Sequence, residues 1–542
     1  MNRAQYNKVL ISAVMIFIIS FMQEGYSQPI MLWERFNIAP NNGACFPIDM
    51  KLDSNGFIYN LCAEGGFSVY KYDKYGNLIW NIKYIHPGLR LLTMPKSMGV
   101  DIEGNVYCTG DNGDEVVTIK IDNSGRLRWV RTYIPGSGFY SSGGLALDTI
   151  GNIVVVAGSY SNSSRIIYGV IKYNSEGDTV WNKVKSDISP VRGGIPKDVS
   201  VSPDGSIYFA GELNIDTLGT SESRCYTVKL NNEGDLEWLS KYYLRISSLR
   251  KILVDSDGNN IYALGGISEN QFADVIIIKY SLTGIPVWYK RYDTDEHYSD
   301  AFIDATLDRN NNIIFTARSG TFLGKVPFIL TVKYSSNGNL LWDRRYIAES
   351  SADNIPFGIL TDKSNNIYIT EDVTMDNLFS NIFFLNLIKY NEIGELQWNI
   401  LNGTPNRRNT GHKIIKTGDF VYVLGSMQWT NGMFNSILLK YSENPLSISN
   451  ESEKLNFILE QNYPNPFNPE TNIVFHIGYS GDYEIKVFDI SGKLIEVILI
   501  KNLSSGIYNI NWNAKSNPSG IYFYGLYKDG EKLDMKKMIL IK

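Results

Sequence analysis

Cysteine and histidine are scarce in this 542-residue chain. Its four cysteines contain no CxxC pair and are too few for a disulfide scaffold. Its four histidines leave little material for a His-based triad or metal centre, and HExxH, GxSxG and Walker-type motifs are missing. The sequence therefore predicts no catalytic residue, no metal and no cofactor.

For one cysteine pair, the sequence leaves undecided whether a disulfide forms. Cys45 and Cys62 lie on the two arms of one predicted hairpin. A cross-strand disulfide would suit an oxidising compartment but makes strict geometric demands, and the alternative is a pair of buried thiols. No function is built on this pair.

Strong positive charge is also missing. The formal net charge is -5, and no long Lys/Arg run occurs, which argues against nucleic acid as a partner. The 44% hydrophobic and 20% charged content is ordinary for a soluble globular protein. Aromatic residues at 13%, with 35 Tyr and 47 Gly, favour short strands joined by tight turns, and hence an all-β fold.

Only one long apolar run is present. Residues 9–22 follow Arg3 and Lys8, and small residues precede Gln28 at the -1 and -3 positions. The run is shorter than the roughly 20 residues that span a bilayer, so a transmembrane anchor is the weaker reading. We predict a signal peptide over residues 1–27, cleaved between Ser27 and Gln28, and no transmembrane anchor after its removal.

Tryptophan recurs at a nearly constant interval. Eight tryptophans stand 47 to 57 residues apart: Trp33, Trp80, Trp129, Trp181, Trp238, Trp288, Trp342 and Trp398. Seven of them end the same phrase, in which a strand containing Lys, a turn closed by Gly and a second strand follow one another. This pattern indicates a β-hairpin. Stacking on sugars is a second use of such aromatics, but repetition in every unit favours packing between units.

A second hairpin, with its own turn, precedes each of these phrases. Two hairpins in roughly 50 residues supply the four strands of one propeller blade. The first hairpin occurs eight times, whereas the tryptophan hairpin is complete only seven times. The missing strand is predicted around Trp33, so that N- and C-terminal strands pair, close an eight-bladed ring and cover its open edge.

These units resemble the tryptophan-bearing propeller repeats of pyrroloquinoline quinone enzymes and of bacterial extracytoplasmic propeller proteins. In those families the tryptophan of the outermost strand docks between blades. The resemblance covers residues 28–445 and implies a fold, because propellers host enzymes, lectins and scaffolds alike. A quinone-dependent oxidoreductase lacks support, since no Cys-Cys pair and no distinct catalytic segment is present.

The pattern changes after a polar linker predicted over residues 446–456. Three prolines in six positions keep the following stretch extended, and short strands up to residue 542 then predict a small β-sandwich over residues 457–542. The phrase consists of Asn462, Tyr463, Pro464, Asn465, Pro466, Phe467, Asn468 and Pro469. Together with residues 487–492 and 519–522, it resembles the type A sorting domain of the type IX secretion system of Bacteroidetes.

That resemblance implies contact with the type IX machinery and transport across the outer membrane. In that family, the domain is usually removed after transport, and the protein is then released or attached to surface lipopolysaccharide. An immunoglobulin-like accessory module would explain the sandwich but not the proline phrase. The predicted location is therefore secreted or on the outer-membrane surface, reached through the periplasm.

Candidate chemistry is sparse in the propeller. Residues 255–259 open like a calcium loop, but the twelfth position is Gly266, which has no side chain to bind an ion. A carboxylate pair at the channel mouth stays open, because sequence spacing does not fix distances between blades. Two segments depart from the repeat, residues 134–143 and 294–300, and we expect any ligand site near them.

The sequence as a whole favours a secreted, non-enzymatic binding module with a glycan or protein ligand. The alternative is a secreted carbohydrate-active enzyme, a glycoside hydrolase or lyase, that uses carboxylates at the channel mouth. Two convergent carboxyl groups with altered protonation would favour the enzyme. An apolar plug in the channel would favour the scaffold.

Overall fold

The computed structural model describes the residue ranges 28–37, 44–87, 93–136, 140–159, 165–187, 191–217, 220–242, 247–269, 272–294, 297–320, 326–349, 351–375, 382–403, 408–428, 434–444, 457–459, 461–477, 481–503, 506–528 and 530–542. All helices and strands assigned in these ranges are of one kind, the β-strand. Within the same ranges, no helix is long and apolar enough to cross a membrane. The predicted signal peptide and linker lie outside them. Two compact units are present, one built mainly from residues 34–443 and the other mainly from residues 444–542.

The first unit begins with β1 (Ile30–Asn37) and continues, in the described residues, with six antiparallel sheets whose four strands follow chain order. Sheet 1 contains β2 (Phe46–Leu52), β3 (Ile58–Ala63), β4 (Phe67–Tyr72) and β5 (Leu78–Tyr84). Sheet 2 contains β6 (Met94–Val100), β7 (Val106–Asp111), β8 (Val116–Ile121) and β9 (Leu127–Tyr133). Sheet 3 contains β10 (Tyr140–Leu147), β11 (Ile153–Ser159), β12 (Ile166–Tyr173) and β13 (Thr179–Ser186).

The next three sheets repeat the pattern. Sheet 4 contains β14 (Val191–Val201), β15 (Ile207–Thr217), β16 (Thr220–Leu230) and β17 (Leu236–Tyr242). Sheet 5 contains β18 (Ser247–Val254), β19 (Ile261–Glu269), β20 (Phe272–Tyr280) and β21 (Pro286–Tyr292). Sheet 6 contains β22 (Ala301–Leu307), β23 (Ile313–Ser319), β24 (Phe328–Tyr334) and β25 (Leu340–Tyr346).

Eight strands remain, and they form one hydrogen-bonded sheet with two halves. Sheet 7 is the half made of β26 (Ser351–Thr361), β27 (Ile367–Met375), β28 (Ile382–Tyr390) and β29 (Leu396–Asn402). Sheet 8 is the half made of β30 (Arg408–Thr417), β31 (Phe420–Gln428), β32 (Phe434–Ser442) and β1, which lies beside β32. Between β28 and β30, the parallel pair Phe383–Arg408 joins the halves.

The first strands of these sheets contact one another in succession, from β2 and β6 through to β26 and β30, and β2 also contacts β30. Such a cycle of four-stranded antiparallel sheets is the arrangement of a β-propeller. The all-β propeller prediction is therefore confirmed. Blade count and ring closure are taken up below as parts of a proposal.

Burial follows position within a sheet. The middle strands β3 and β4 are buried along their whole length, whereas the outer strand β5 alternates between exposed and half-buried residues. Neighbouring sheets cover both faces of the middle strands, so their sequences are apolar at successive positions rather than alternating. Each core cluster accordingly takes residues from adjacent sheets.

The repeated tryptophan bonds to the neighbouring sheet. Six indole N–H groups donate to a carbonyl oxygen in the next sheet's outer turn, at 2.9 to 3.3 Å: those of Trp80, Trp129, Trp181, Trp238, Trp288 and Trp342. The acceptors belong to Asn123, Ser175, Asn232, Leu282, Ser336 and Glu392. A partly exposed side chain thus joins sheets that are distant in sequence.

The glycine of that outer turn is required for a second reason besides its backbone angle. Gly284 has φ +80°, and a Cβ there would lie 2.5 Å from the Trp238 ring. The same relation holds between Gly125 and Trp80, at 2.8 Å. Positive φ and the approaching indole therefore select glycine together.

The lysine of the phrase strengthens the same junction. Lys120 donates to the carbonyl oxygen of Ser175 (2.8 Å), which also accepts the Trp129 indole N–H. Its ammonium lies over the Tyr107 ring of its own sheet, 5.3 Å from the centroid. One cation thus links two sheets and an aromatic face.

The second unit contains two sheets around one core. One has the order β33 (Phe457–Leu459), β34 (Glu470–Ile477) and β37 (Gly506–Asn513). The other has the order β36 (Leu494–Leu503), β35 (Gly481–Asp489), β38 (Gly520–Lys528) and β39 (Glu531–Leu540). A single cluster that includes Phe475, Val487, Trp512 and Tyr524 lies between them, which is the predicted small sandwich.

We expect Gly284→Ala to destabilise the protein more than Gly151→Ala. Both glycines have positive φ, but nothing lies within 4 Å of a Cβ built on Gly151. The control carries only the backbone cost of about 1 kcal/mol. Gly284→Ala also displaces Trp238 from its carbonyl partner and should cost about 3 kcal/mol in total.

Thermal unfolding midpoints of the two full-length variants measure this difference. The substitution Trp238→Ala should remove most of the extra cost when combined with Gly284→Ala. Equal midpoints for Gly284→Ala and Gly151→Ala would contradict the role of the indole.

Candidate functional site

The first strands share an irregularity at the axis of the propeller. In each of sheets 1 to 8, pairing of the first strand with the second shifts by one residue, which is the signature of a β-bulge. The residues that follow the bulge are Asp49, Ser97, Gly144, Asp198, Lys251, Asp304, Gly358 and Lys413. Six of these eight residues are polar or charged and the other two are glycine, so none of them contributes an apolar side chain.

Charges at these positions interact across the propeller. Lys251 of sheet 5 lies 3.0 Å from the Asp304 carboxylate of sheet 6. Asp304, with Asp198 and Asp49, raises the pKa of Lys251 despite its burial. Since Asp49 belongs to sheet 1 and Lys251 to sheet 5, these side chains converge on the axis.

The carboxylates of this group already bind backbone amides. Asp49 accepts the Met50 N–H at 2.9 Å through Oδ1 and the Met98 N–H at 3.1 Å through Oδ2. Asp198 likewise accepts the Ile252 N–H of the next sheet at 3.0 Å. These bonds join sheet 1 to sheet 2 and sheet 4 to sheet 5. They give the acids a structural role.

Asp198 is nevertheless a carboxyl group of this set with a raised pKa. Burial raises its pKa, and the nearby Lys251 ammonium and the Ile252 amide oppose that effect. Sequence analysis did not single out Asp198. Its signal was available only by aligning the first strands of all repeats, where acids occupy three of eight equivalent positions.

A half-buried histidine lies beside these residues. His412 occupies the bulge of β30, with Nε2 at 3.0 Å from the Thr410 hydroxyl and its ring 5.1 Å from that of Phe357. Burial, followed by the nearby Lys413, lowers the pKa of His412 to about 4. The imidazole is therefore neutral at ordinary pH.

We expect His412→Gln to lose less stability than the wild type between pH 6.5 and pH 4. The unfolded chain takes up the histidine proton near pH 6.5 and the folded chain only near pH 4, so stability falls as pH drops through this interval. The effect is at most about 3 kcal/mol.

Denaturant unfolding of both proteins at pH 8, 6 and 4 checks this expectation. The difference at pH 8 reports only the lost contacts of the ring, so it serves as the reference. Parallel losses in the two proteins below pH 6.5 would rule out His412 as the titrating group.

The two segments that break the repeat lie at junctions between sheets. In residues 134–143, of which 137–139 lie outside the described part, the Ser142 N–H donates to Asp111 at 2.9 Å. In residues 294–300, of which 295 and 296 are likewise outside, the Asp300 N–H donates to the Ala273 carbonyl. The second segment brings Asp300 close to Asp274 and Asp293. Sequence analysis missed Asp274, because it lies inside a regular strand.

The predicted cleavage residues are at the edge of the described chain. Ser27 lies outside the described residues, and Gln28 is the first residue within them and is exposed. Cleavage between them stays a prediction. Cys45 and Cys62, the pair considered for a disulfide, are both buried free thiols close enough to interact.

In the second unit, the proline phrase alternates between buried and exposed residues. Asn462 and Phe467 are buried, whereas Tyr463, Pro464, Pro466 and Asn468 are exposed, with Tyr463 at 80%. Pro469 and Asn465 are half-buried. The phrase thus supplies both internal contacts and an accessible ridge.

Asn462 organises the start of the phrase. Its amide Nδ2 donates to the Pro464 carbonyl at 3.1 Å and to the Thr471 hydroxyl at 2.9 Å, while its backbone N–H donates to the Tyr524 hydroxyl at 2.7 Å. Prolines lack an N–H, so side chains replace the ladder that an ordinary strand would form.

The middle of the phrase holds the final strand. The Ile539 N–H donates to Asn465 Oδ1 at 2.9 Å. The Phe467 N–H donates to the Ile539 carbonyl, and the Ile541 N–H donates to the Phe467 carbonyl. The Phe467 ring packs 5.7 Å from Trp512 in the core. The start and the end of the domain are therefore locked together.

Residues 461–542 match the family described as secretion system C-terminal sorting domain. The C-terminal unit is a secretion sorting domain. The match covers the whole lock between the proline phrase and β39. The chain is therefore a cargo of the type IX secretion system, and this domain implies contact with its machinery and export from the cell.

Beyond the sorting domain, the comparisons are distant. No curated protein matches the chain at a significant level. A catalytically inactive virginiamycin B lyase from Staphylococcus aureus with quinupristin is 13% identical, with a TM-score of 0.37, over 65% of this chain and 98% of that one. An ulvan lyase of a polysaccharide lyase family, with a bound saccharide, is 10% identical, with a TM-score of 0.43, over 74% and 95%. Drosophila plexin A in complex with semaphorin 1b is 9% identical, with a TM-score of 0.37, over 78% and 88%.

We expect Asn465→Ala to destabilise the sorting domain and to reduce export. The substitution leaves the Ile539 N–H without its acceptor, which costs about 1–3 kcal/mol. Asn468→Ala in the same phrase changes an exposed side chain and is the matched control. Unfolding of the full chain and the amount of protein in the medium of a type IX-competent host measure both effects. Identical behaviour of the two variants would contradict the lock.

Proposed function

We propose that this protein is a secreted or surface-held propeller that binds a glycan or protein ligand and is delivered by its sorting domain. The observation that carries the proposal is the match of residues 461–542 to the sorting family. The sorting domain and the propeller belong to one chain, so export directed by the first would deliver the second. Cleavage between Ser27 and Gln28 and passage through the periplasm complete the proposed route.

The proposal includes an eight-bladed closed ring. Two observations support it: β1 lies beside β32 in sheet 8, and β2 contacts β30. The Asn37 side chain on β1 also donates to the Ser436 hydroxyl on β32 at 3.4 Å. In such a last blade, β1 covers the edge of β32 that would otherwise be open to aggregation.

A binding role is supported by the state of the acids at the axis. Glycoside hydrolysis needs one carboxyl group as acid and another as nucleophile or base. Here both oxygens of Asp49 accept backbone N–H groups, and Lys251 holds Asp304. Carboxylates bound in this way serve the junctions between sheets rather than a substrate.

A carbohydrate-active enzyme is the second candidate, and one observation favours it. Asp198 at the axis has a raised pKa, as a general acid requires. Its partner in catalysis would be a second carboxyl group, such as Asp49 or Asp304, which would have to give up the bonds described above. The enzyme therefore stays the alternative.

The experiment is a screen of the mature full-length protein against a panel of soluble polysaccharides, with binding and released products scored together. We expect saturable binding to one class of polysaccharide and no product. The matched variant is Asp198→Asn, which should leave binding unchanged. Product release by the wild type that is abolished in Asp198→Asn would overturn the binding role in favour of the enzyme. Absence of both binding and product would remove glycans as the ligand class.

A further inference from the structure

Three aspartates meet where sheet 5 connects to sheet 6. Asp274 lies near the start of β20, Asp293 follows β21 and Asp300 precedes β22. One carboxylate oxygen from each lies within 4.8 Å of the others. The pairing of Val275 with Tyr292 places the first two side by side, and the Asp300 N–H bonds to the Ala273 carbonyl. The backbone therefore fixes this cluster.

Sheet 6 shows that the fold does not require these acids. Asp274 stands five residues before the repeated lysine, and Asp293 stands five residues after the repeated tryptophan. In sheet 6 the equivalent residues are Phe328 and Ile347. Apolar side chains thus occupy the equivalent positions in the neighbouring sheet. Two facing acids in sheet 5 are a local departure that packing does not explain.

Asp300 has a direct counterpart in the next sheet, Asn354. The Oδ1 atom of Asn354 accepts the Ala348 N–H at 3.1 Å, and its Nδ2 donates to the Pro327 carbonyl at 2.9 Å. Asp300 makes the first bond in the same way, since its Oδ2 accepts the Thr294 N–H at 3.1 Å. Its Oδ1 stands in place of the amide nitrogen and cannot donate when ionised.

That oxygen is left without a partner. Asp300 is 0% exposed, and its Oδ1 has no hydrogen-bond partner among the described residues. The Ser319 hydroxyl beside it is also 0% exposed; it is close enough to lower the pKa of Asp300, but no described residue lies within hydrogen-bonding geometry of it. Two orphaned buried oxygens at one point are expensive unless something binds them.

The surrounding charge is negative. Arg291 donates to Asp274 through Nε at 2.5 Å, and His297 Nδ1 lies 2.6 Å from Asp293. One permanent cation thus faces three carboxylates. Burial, with smaller contributions from Asp274 and Asp293, raises the pKa of Asp300 to about 6. None of the largest influences that the described residues exert on the pKa of Asp300 comes from a cation.

We propose that Asp274, Asp293 and Asp300 bind a Ca²⁺ ion that joins sheet 5 to sheet 6. Oxygen ligands at 2.3–2.6 Å from the ion place two ligand atoms at most about 5 Å apart, which suits a 4.8 Å cluster. Ca²⁺ tolerates the irregular positions that two strands and a crossover impose, whereas Mg²⁺ demands an octahedron. The ion would also supply the positive charge that the Asp300 carboxylate lacks.

Calcium titration of the mature full-length protein tests the site, with CaCl₂ followed by calorimetry and Tb³⁺ luminescence as a second readout. We expect one site with a Kd between about 10⁻⁵ and 10⁻³ M. Saturating CaCl₂ should raise the unfolding midpoint by about 2–5 °C over the EGTA-treated protein.

Asp300→Asn is the main variant, because Asn354 shows that an amide fits this position. It should fold, lose the calcium-dependent shift and weaken Ca²⁺ binding at least tenfold. Asp293→Asn should do the same from a partly exposed position. Asp257→Asn, in the turn that opens like a calcium loop, should keep the wild-type response.

Three results would overturn the proposal. They are a wild-type protein that binds neither Ca²⁺ nor Tb³⁺, an Asp300→Asn variant that binds Ca²⁺ as the wild type does, and a response to MgCl₂ that equals or exceeds the response to CaCl₂. The readouts are binding and stability, so they do not depend on the ligand of the propeller.

Discussion

The hydrogen bond from the outer-strand indole to the next sheet's turn is the contact on which the propeller depends. A four-stranded sheet cannot bury both of its faces alone, so it is stable only when its neighbours are held in register. The indole fixes that register at the outer end, and the turn glycine leaves it room. The repeated lysine binds at the same place, as with Lys120 and Ser175. Acids at the axis, such as Asp49 and Asp198, hold the inner end.

This division of labour explains why function is hard to find in the repeat. Aspartate, lysine and tryptophan are common in active sites, yet here the repeated tryptophans, Lys120, Asp49 and Asp198 join sheets. The informative positions are those where one sheet differs from its equivalents. Asp300 against Asn354, and Asp274 against Phe328, are differences of that kind. Each repeat thus serves as an internal control for the others.

The sorting domain is held together by a different kind of contact. Its prolines prevent a regular ladder, so Asn462, Asn465 and Phe467 replace it with side-chain and bridge contacts to later strands. The family match spans this lock and the terminal strand together. The arrangement leaves Tyr463, Pro464 and Pro466 exposed, whereas Asn462 and Phe467 are buried.

Local sequence patterns predicted much of this structure. Hydrophobic alternation and turn glycines predicted the hairpins, because these signals act within about ten residues, and the near-constant tryptophan spacing grouped the hairpins into four-stranded units. The proline phrase was specific enough to predict the sorting domain. What the tertiary structure decided is how side chains from different units meet: the convergence of Asp49, Lys251 and Asp304 at the axis, and the approach of Asp274, Asp293 and Asp300. Sequence spacing carries no information on distances across a ring, since they depend on how separate sheets pack rather than on how one chain segment turns.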